Sequence, residues 1–185
     1  DECGNQSSAT QTIVVADTTA PTFSYVPNDL MVDCSDATLS SLPMPEAQDN
    51  CGVESIVVEE FVEPGDCPNS YVITRVFTAL DACSNAVEAS HVVVVTDGSA
   101  PVISGGGDVV VECNSTEVQG LLADWLLEHG GATATDNCTA SDLLIWSYPD
   151  SLNWAEGCDA NGSLTVEFSV MDECGNESTY EATFS

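Results

Sequence analysis

The side chains in this 185-residue chain that could do chemistry are few, and their spacing points to oxygen ligands and thiols. Aspartate and asparagine recur together in short turns: Asp49-Asn50, Asp81 with Asn85, Asp136-Asn137, and Asp172 with Asn176. Asp17 and Asp97 stand just before two Ala-Pro steps. A hard divalent cation takes about six to eight oxygens from such carboxylates, amides and carbonyls, which makes Asp17, Asp49, Asn50, Asp81, Asn85, Asp97, Asp136, Asn137, Asp172 and Asn176 the candidate calcium ligands. The same residues close Asx-turns without any metal, and the chain has no EF-hand or glycine-rich calcium loop. The turn reading therefore comes first: no cofactor is required, and Ca2+ is the one cofactor these residues would suit.

Catalytic groups are scarce. The only histidines are His91 and His129. His91 falls in an alternating apolar stretch and reads as a structural residue, while His129 ends a helical pattern, where a cation complements the dipole. Glu59 and Glu60 are neighbours in a strand pattern, so they face opposite sides and cannot flank one glycosidic bond. No His-Glu-Xaa-Xaa-His and no glycine-rich loop between strand and helix is present. Arg75 aligns with Phe77 on one strand face, so its stem should pack and its guanidinium should meet a carboxylate of the neighbouring strand. The chain is read as non-enzymatic.

The charge balance is extreme, with 31 acidic residues, the single arginine and a net charge of −30. Nucleic acid and anionic membrane surfaces are excluded as partners, because their binding needs lysine and arginine to neutralise phosphate. No apolar run approaches the roughly 18 residues that span a bilayer, so no membrane insertion is expected. A hydrophobic content of 43%, gathered in β-branched runs, separates the chain from acidic disordered segments.

Nine cysteines occur, none in a Cys-Xaa-Xaa-Cys pair, so disulfides and an oxidising compartment are expected rather than zinc. If Val53 to Val62 runs up and Tyr71 to Leu80 runs down, Cys51 and Cys83 share the lower end, leaving Cys34 for Cys67 at the upper end. The same logic pairs Cys138 with Cys174 and Cys113 with Cys158. Cys3 is assigned a partner outside this stretch. Each loop of about 30 to 45 residues would contribute on the order of 3 to 4 kcal/mol. Sequons at Asn5, Asn114, Asn137, Asn161 and Asn176, and Thr18 and Ser151 in Asp-Thr-Thr and Asp-Ser-Leu, are candidate glycosylation sites.

One hairpin turn recurs three times, as Asp1-Glu2-Cys3-Gly4-Asn5, Asp81-Ala82-Cys83-Ser84-Asn85 and Asp172-Glu173-Cys174-Gly175-Asn176. Val32-Asp33-Cys34 likewise matches Val111-Glu112-Cys113, and Asp17-Thr18-Thr19-Ala20-Pro21 matches Asp97-Gly98-Ser99-Ala100-Pro101. A period of about 80 residues follows. Residues 1–17 read as the last hairpin turn and strand of a preceding repeat, 18–97 as repeat 1 and 98–185 as repeat 2, with donation of the first strand to a neighbouring subunit as the alternative. Strands are expected over Leu30 to Cys34, Val53 to Val62, Tyr71 to Leu80 and Val87 to Thr96. In repeat 2, Leu164, Val166, Phe168 and Val170 alternate with polar neighbours. The fold class is all-β: tandem immunoglobulin-like β-sandwich repeats stapled by disulfides, an open two-sheet barrel being the other arrangement considered. A helix is inserted at about 116–129, where Val118, Leu121, Leu122, Trp125 and Leu126 form a stripe, Thr116 and Gln119 a capping box, and Gly130-Gly131 a stop. Its stripe should cover an open end of its own sandwich.

Asp-Xaa-Cys-Gly/Ser-Asn, then a valine-rich strand, then Asp-Thr-Thr-Ala-Pro resembles the hyalin-repeat (HYR-like) immunoglobulin-type modules. Such modules are strung along large secreted surface proteins, including those of Bacteroidota exported by type IX secretion. The resemblance covers essentially the whole chain. Hyalin repeats often carry two cysteines and these carry four, which suggests a distinct subfamily. The resemblance implies an extracellular or cell-surface location, a structural or adhesive role without catalysis, and further repeats or filament copies as partners. The alternative is a calcium-assisted carbohydrate- or protein-binding module, for which Trp146, Tyr148 and Trp154 would be the contact aromatics.

Overall fold

The computed structural model describes residues 2–112, 118–152 and 162–185. Among them the chain is all-β with one helix. Its strands are β1 (Thr22–Tyr25), β2 (Leu30–Asp33), β3 (Glu46–Gln48), β4 (Val53–Pro64), β5 (Tyr71–Asp81), β6 (Ala86–Thr96), β7 (Val102–Gly105), β8 (Ala132–Thr135), β9 (Ile145–Ser147), β10 (Leu164–Met171) and β11 (Glu177–Phe184). Helix α1 covers Val118–Leu127. The sheets are β1-β3, β2-β6-β5-β4, β7-β8 and β11-β10-β9. No described helix is long and apolar enough to cross a membrane.

In space the chain divides into two compact units, one of Asp1–Asn28, Pro43–Glu60 and Arg75–His91, the other of Asp29–Leu42, Phe61–Thr74 and Val92–Ser185. In the first unit, period-2 alternation along β5 puts Arg75, Phe77, Ala79 and Asp81 on one buried face. His91 of β6 is fully buried and stacks on Phe77, with ring centroids 6.4 Å apart. Arg75 behaves as its position demands: Nε donates to Glu60 at 2.9 Å, Nη1 donates to the Pro43 carbonyl at 2.7 Å, and the guanidinium lies 5.1 Å from the Phe77 ring centroid. We expect Arg75→Ala to cost about 2–3 kcal/mol in urea denaturation, since it deletes a packed stem and leaves the Pro43 carbonyl without that donor. Arg75→Met should recover part of the loss.

Residues 6–16, expected as a strand, are not paired into one. Ile13, Val14 and Val15 are 77%, 82% and 93% exposed, because none of the described strands lies beside them.

The core of the second unit lies on β10, whose Leu164, Val166, Phe168 and Val170 are buried as the alternation requires. β10 and β11 pair antiparallel in unbroken register from Leu164↔Phe184 to Met171↔Glu177. Trp125 and Leu126 of α1 cover Leu164, Val166 and Phe168, while Ile103 of β7 and Ala134 of β8 cover Val170 at the other end of the face. The helix therefore closes one end of its own sandwich, as its apolar stripe implied. Leu121 departs from the stripe and stays 42% exposed. Thr116 lies outside the described residues.

His129 does not act as a charged cap. Its ring stacks on Trp146 at 4.4 Å, and burial lowers its pKa, which disfavours the cation. Beside it Gly130 adopts φ of 66°, and a Cβ there would collide with the Tyr180 hydroxyl, which donates to the His129 carbonyl.

Candidate functional site: two equivalent acidic joints

The recurrent turns build the same site twice. In the first unit Asp17, Asp49 and Asp81 bring ligand atoms within 4.8 Å of one another, and in the second Asp97, Asp136 and Asp172 do the same. Asp81 ends β5, where its Oδ1 accepts the N–H groups of Cys83 and Asn85, each at 2.8 Å, and its Oδ2 accepts Asn85 Nδ2 at 2.7 Å. Asp172 follows β10 and repeats this: Oδ1 accepts from Cys174 and Asn176 at 2.8 Å, and Oδ2 accepts Asn176 Nδ2 at 2.8 Å. The turn needs one residue of positive φ, supplied by Ser84 (69°) and Gly175 (86°). Asp49 accepts the N–H of Cys51 at 2.8 Å through Oδ1, as Asp136 accepts that of Cys138. The linker enters alike in both, Asn85 Nδ2 donating to the Asp17 carbonyl and Asn176 Nδ2 to the Asp97 carbonyl, each at 3.2 Å.

What these bonds leave over defines the chemistry. Oδ2 of Asp17, Asp49, Asp97 and Asp136 is buried without a hydrogen-bond partner. Asp97 as a whole is only 8% exposed, and Asp81 and Asp172 only 1% and 2%. Carboxylates at such separations repel one another. The chain's one basic side chain, Arg75, is held by Glu60 and neutralises neither cluster. Burial, then the charges of Asp136, Asp172 and Asp33, raises the Asp97 pKa. Hydrogen bonds have the opposite effect elsewhere: the Thr19 N–H first lowers the Asp17 pKa, and the Asn85 side chain first lowers that of Asp81. The Asp17 carboxylate beside Cys51 raises that thiol's pKa. Clustered, fixed, partly unsatisfied carboxylate oxygens suit a hard divalent cation.

All six predicted aspartates thus converge, three to a joint. The four asparagines each donate a hydrogen bond through Nδ2. Asn85 and Asn176 present Nδ2, a donor, and position the turn and the linker; Asn50 and Asn137 turn Nδ2 toward Asp17 and Asp33. Asp33 was missed, although its place before Cys34 was visible; Asp33, Asp97 and the Cys34 and Cys138 sulfurs also lie within 4.8 Å of one another. Ser35 first lowers the Asp33 pKa by hydrogen bonding.

The disulfides differ from expectation. Cys34 pairs with Cys138 and Cys67 with Cys174, their Cα atoms 6.0 and 5.0 Å apart, replacing the expected Cys34–Cys67 and Cys138–Cys174. The expected Cys51–Cys83 bond is absent, both residues being exposed thiols. The reason is positional. β2 runs parallel to β6, from Leu30↔Val93 to Asp33↔Thr96, which carries Cys34 to the end of β6 where the joint of the next sequence repeat lies. Cys34 and Cys67 do share an end, but Cys138 and Cys174 are there too and take one each. Asn69 donates to Thr139 Oγ1 across the same end at 2.9 Å. Cys113 and Cys158 lie outside the described residues.

Of the glycan candidates, Asn5, Thr18 and Ser151 are exposed, whereas the Asn137 and Asn176 amides are occupied in the joint and a glycan would break those bonds. Asn114 and Asn161 lie outside the described residues. Trp146 is stacked on by the His129 ring at 4.4 Å, while Tyr148, 41% exposed, makes an edge contact with Phe168 at 6.0 Å. Trp154 lies outside the described residues.

Fold and site together define an all-β repeat chain with acidic joints. No protein-family profile and no curated protein matches it. Among solved structures it is similar to extracellular cadherin domains 1–4 of protocadherin gamma B7, at 12% identity and a TM-score of 0.35, covering 90% of this chain and 50% of that one. It is similar also to human mucin-like protocadherin EC1-2, at 13% and 0.31 with 89% and 97% covered, and to the human desmocollin-1 ectodomain, at 9% and 0.28 with 89% and 40% covered. The chain thus spans about half the length of the first of these.

Proposed function

We propose that this chain is a structural and adhesive repeat segment of a long extracellular surface or filament protein, without catalysis, whose joints are set by calcium. One observation carries the reading: the same three-carboxylate joint occurs twice, each time with two buried carboxylate oxygens left without a hydrogen-bond partner. Disulfides add the oxidising compartment expected outside the cytosol. The resemblance to hyalin-type repeats supports the same role. A cation in each joint would pin the linker residue, Asp17 or Asp97, to the two turns it meets and stiffen the repeat array.

The test is calorimetric titration and thermal melting in calcium and after chelation, at matched ionic strength. About two calcium ions should bind, and at roughly a hundredfold above the dissociation constant each site should stabilise by about 2.7 kcal/mol, a rise of roughly 5–10 °C. Asp97→Asn should remove one site. The same change should make the metal-free chain more stable, on the order of 1 kcal/mol, because it deletes a buried charge among like charges. No calcium response in either chain would sink the calcium joint. For the array itself, electron microscopy of the native secreted material should show stiff rods or filaments that soften on chelation; flexible strings in both conditions would overturn it.

A further inference from the structure

The two joints share their turn hydrogen bonds and differ in what their sulfurs bond to. Cys51 stands two residues after Asp49 as Cys138 stands after Asp136, and Cys83 stands after Asp81 as Cys174 stands after Asp172. Each of the four donates its N–H to the aspartate Oδ1 at 2.8 Å, so all four sit in the same turns. In the second joint Cys138 and Cys174 do not bond to each other. They bond to Cys34, at the end of β2, and to Cys67, in the β4–β5 hairpin, both from the other sequence repeat. In the first joint the two sulfurs are exposed thiols.

A second, independent feature lies in the same compact unit as those thiols. Ile13, Val14 and Val15 precede Asp17 at the same distances by which Val93, Val94 and Val95 precede Asp97. In β6 those valines form the track on which β2 lies, Leu30, Met31 and Val32 pairing parallel with them, and this pairing delivers Cys34 to Cys138. Residues 13–15 are a valine-rich track of the same kind, and they are 77–93% exposed.

We propose that residues 13–16 with Cys51 and Cys83 form a covalent docking site for another repeat of this type. Its β2-type strand, ending in Val-Asp/Glu-Cys, lies parallel on residues 13–16 and places its cysteine on Cys51. Its hairpin cysteine joins Cys83. The array is then a ladder in which each repeat is held to the next by two disulfides, a property separate from calcium in the joints. Each bond forms by exchange: a thiolate attacks one sulfur of a small disulfide such as oxidised glutathione and releases one glutathione thiolate, and the partner thiolate then attacks the protein sulfur of the resulting mixed disulfide and expels the second. Two thiols lose two protons and two electrons, and the oxidised glutathione leaves as two thiols.

The 185-residue chain tests this with a peptide of its own residues 27–36, supplied as the mixed disulfide of Cys34 with glutathione. One peptide should attach by exchange, releasing one glutathione, with Cys51 favoured over Cys83 at least about tenfold; strand pairing sets this preference. The Ile13→Asp/Val15→Asp variant should lose that preference while its Cys51 reacts with oxidised glutathione as before. Peptide mapping of native secreted material without reductant gives the second arm. Cys51 bonded to a strand-end cysteine of the same polypeptide places the ladder within one chain, and bonded to one from a second copy places it between chains. A Cys51–Cys83 bond in native material, or attachment indifferent to the variant, overturns the proposal.

Discussion

Replacing Cys174 by serine should destabilise the protein by about 4–5 kcal/mol, since the bridge to Cys67 spans 107 residues and loop closure on that scale is worth roughly this much. Urea denaturation followed by tryptophan fluorescence reads the change, because Trp125 and Trp146 both pack in the unit that holds the bridge. Cys138→Ser should show a similar loss on its own, its bridge spanning 104 residues. The two losses should not add. The two loops overlap from Cys67 to Cys138, so the first bridge already restricts most of the chain that the second would restrict. A loss below about 1 kcal/mol in both single variants would show that this unit keeps its form through packing alone.

Phe168→Ala should cost about 3–5 kcal/mol. The ring is fully buried and sits at the meeting point of several others: Trp125 edge-on at 5.3 Å, Tyr180 stacked at 5.4 Å, and Tyr148 and His129 at 6.0 and 6.4 Å. Removing it opens a void under α1 that the neighbouring rigid rings cannot refill. The near-ultraviolet circular dichroism of Trp125 should fall with it, at concentrations of urea where the far-ultraviolet strand signal is unchanged. An equal loss from the exposed-edge change Ile145→Ala would contradict this placement of the core.

Which parts of this were visible in the residues follows from the range of the forces involved. The strand β10 was readable from alternation alone, because Leu164, Val166, Phe168 and Val170 need only a local pleat and one apolar side. Arg75 was readable for the same reason: its face and its nearest carboxylates are set by strand period. The aspartates of the joints could be found because each turn repeats with its cysteine. Their division into two triads could not, since it depends on which linker meets which pair of turns. The disulfides failed at one step. The direction of β4 and β5 was right and placed Cys67 correctly, yet nothing local says that β2 runs parallel to β6 and thereby presents Cys34 to another repeat's turn. His129 was misjudged because the sequence pattern places it at a helix end but cannot show the Trp146 ring lying over it.

The crossed bridges also bear on survival among proteases. Cys34–Cys138 and Cys67–Cys174 interlock, so a single backbone cut anywhere between Cys34 and Cys174 leaves the fragments joined by at least one bridge, and a cut between Cys67 and Cys138 leaves them joined by two. The exposed linker after Asp97 falls in the doubly protected stretch. A peptidase that nicks the linker frees neither fragment: both stay joined, and only a reductant together with the cut separates them.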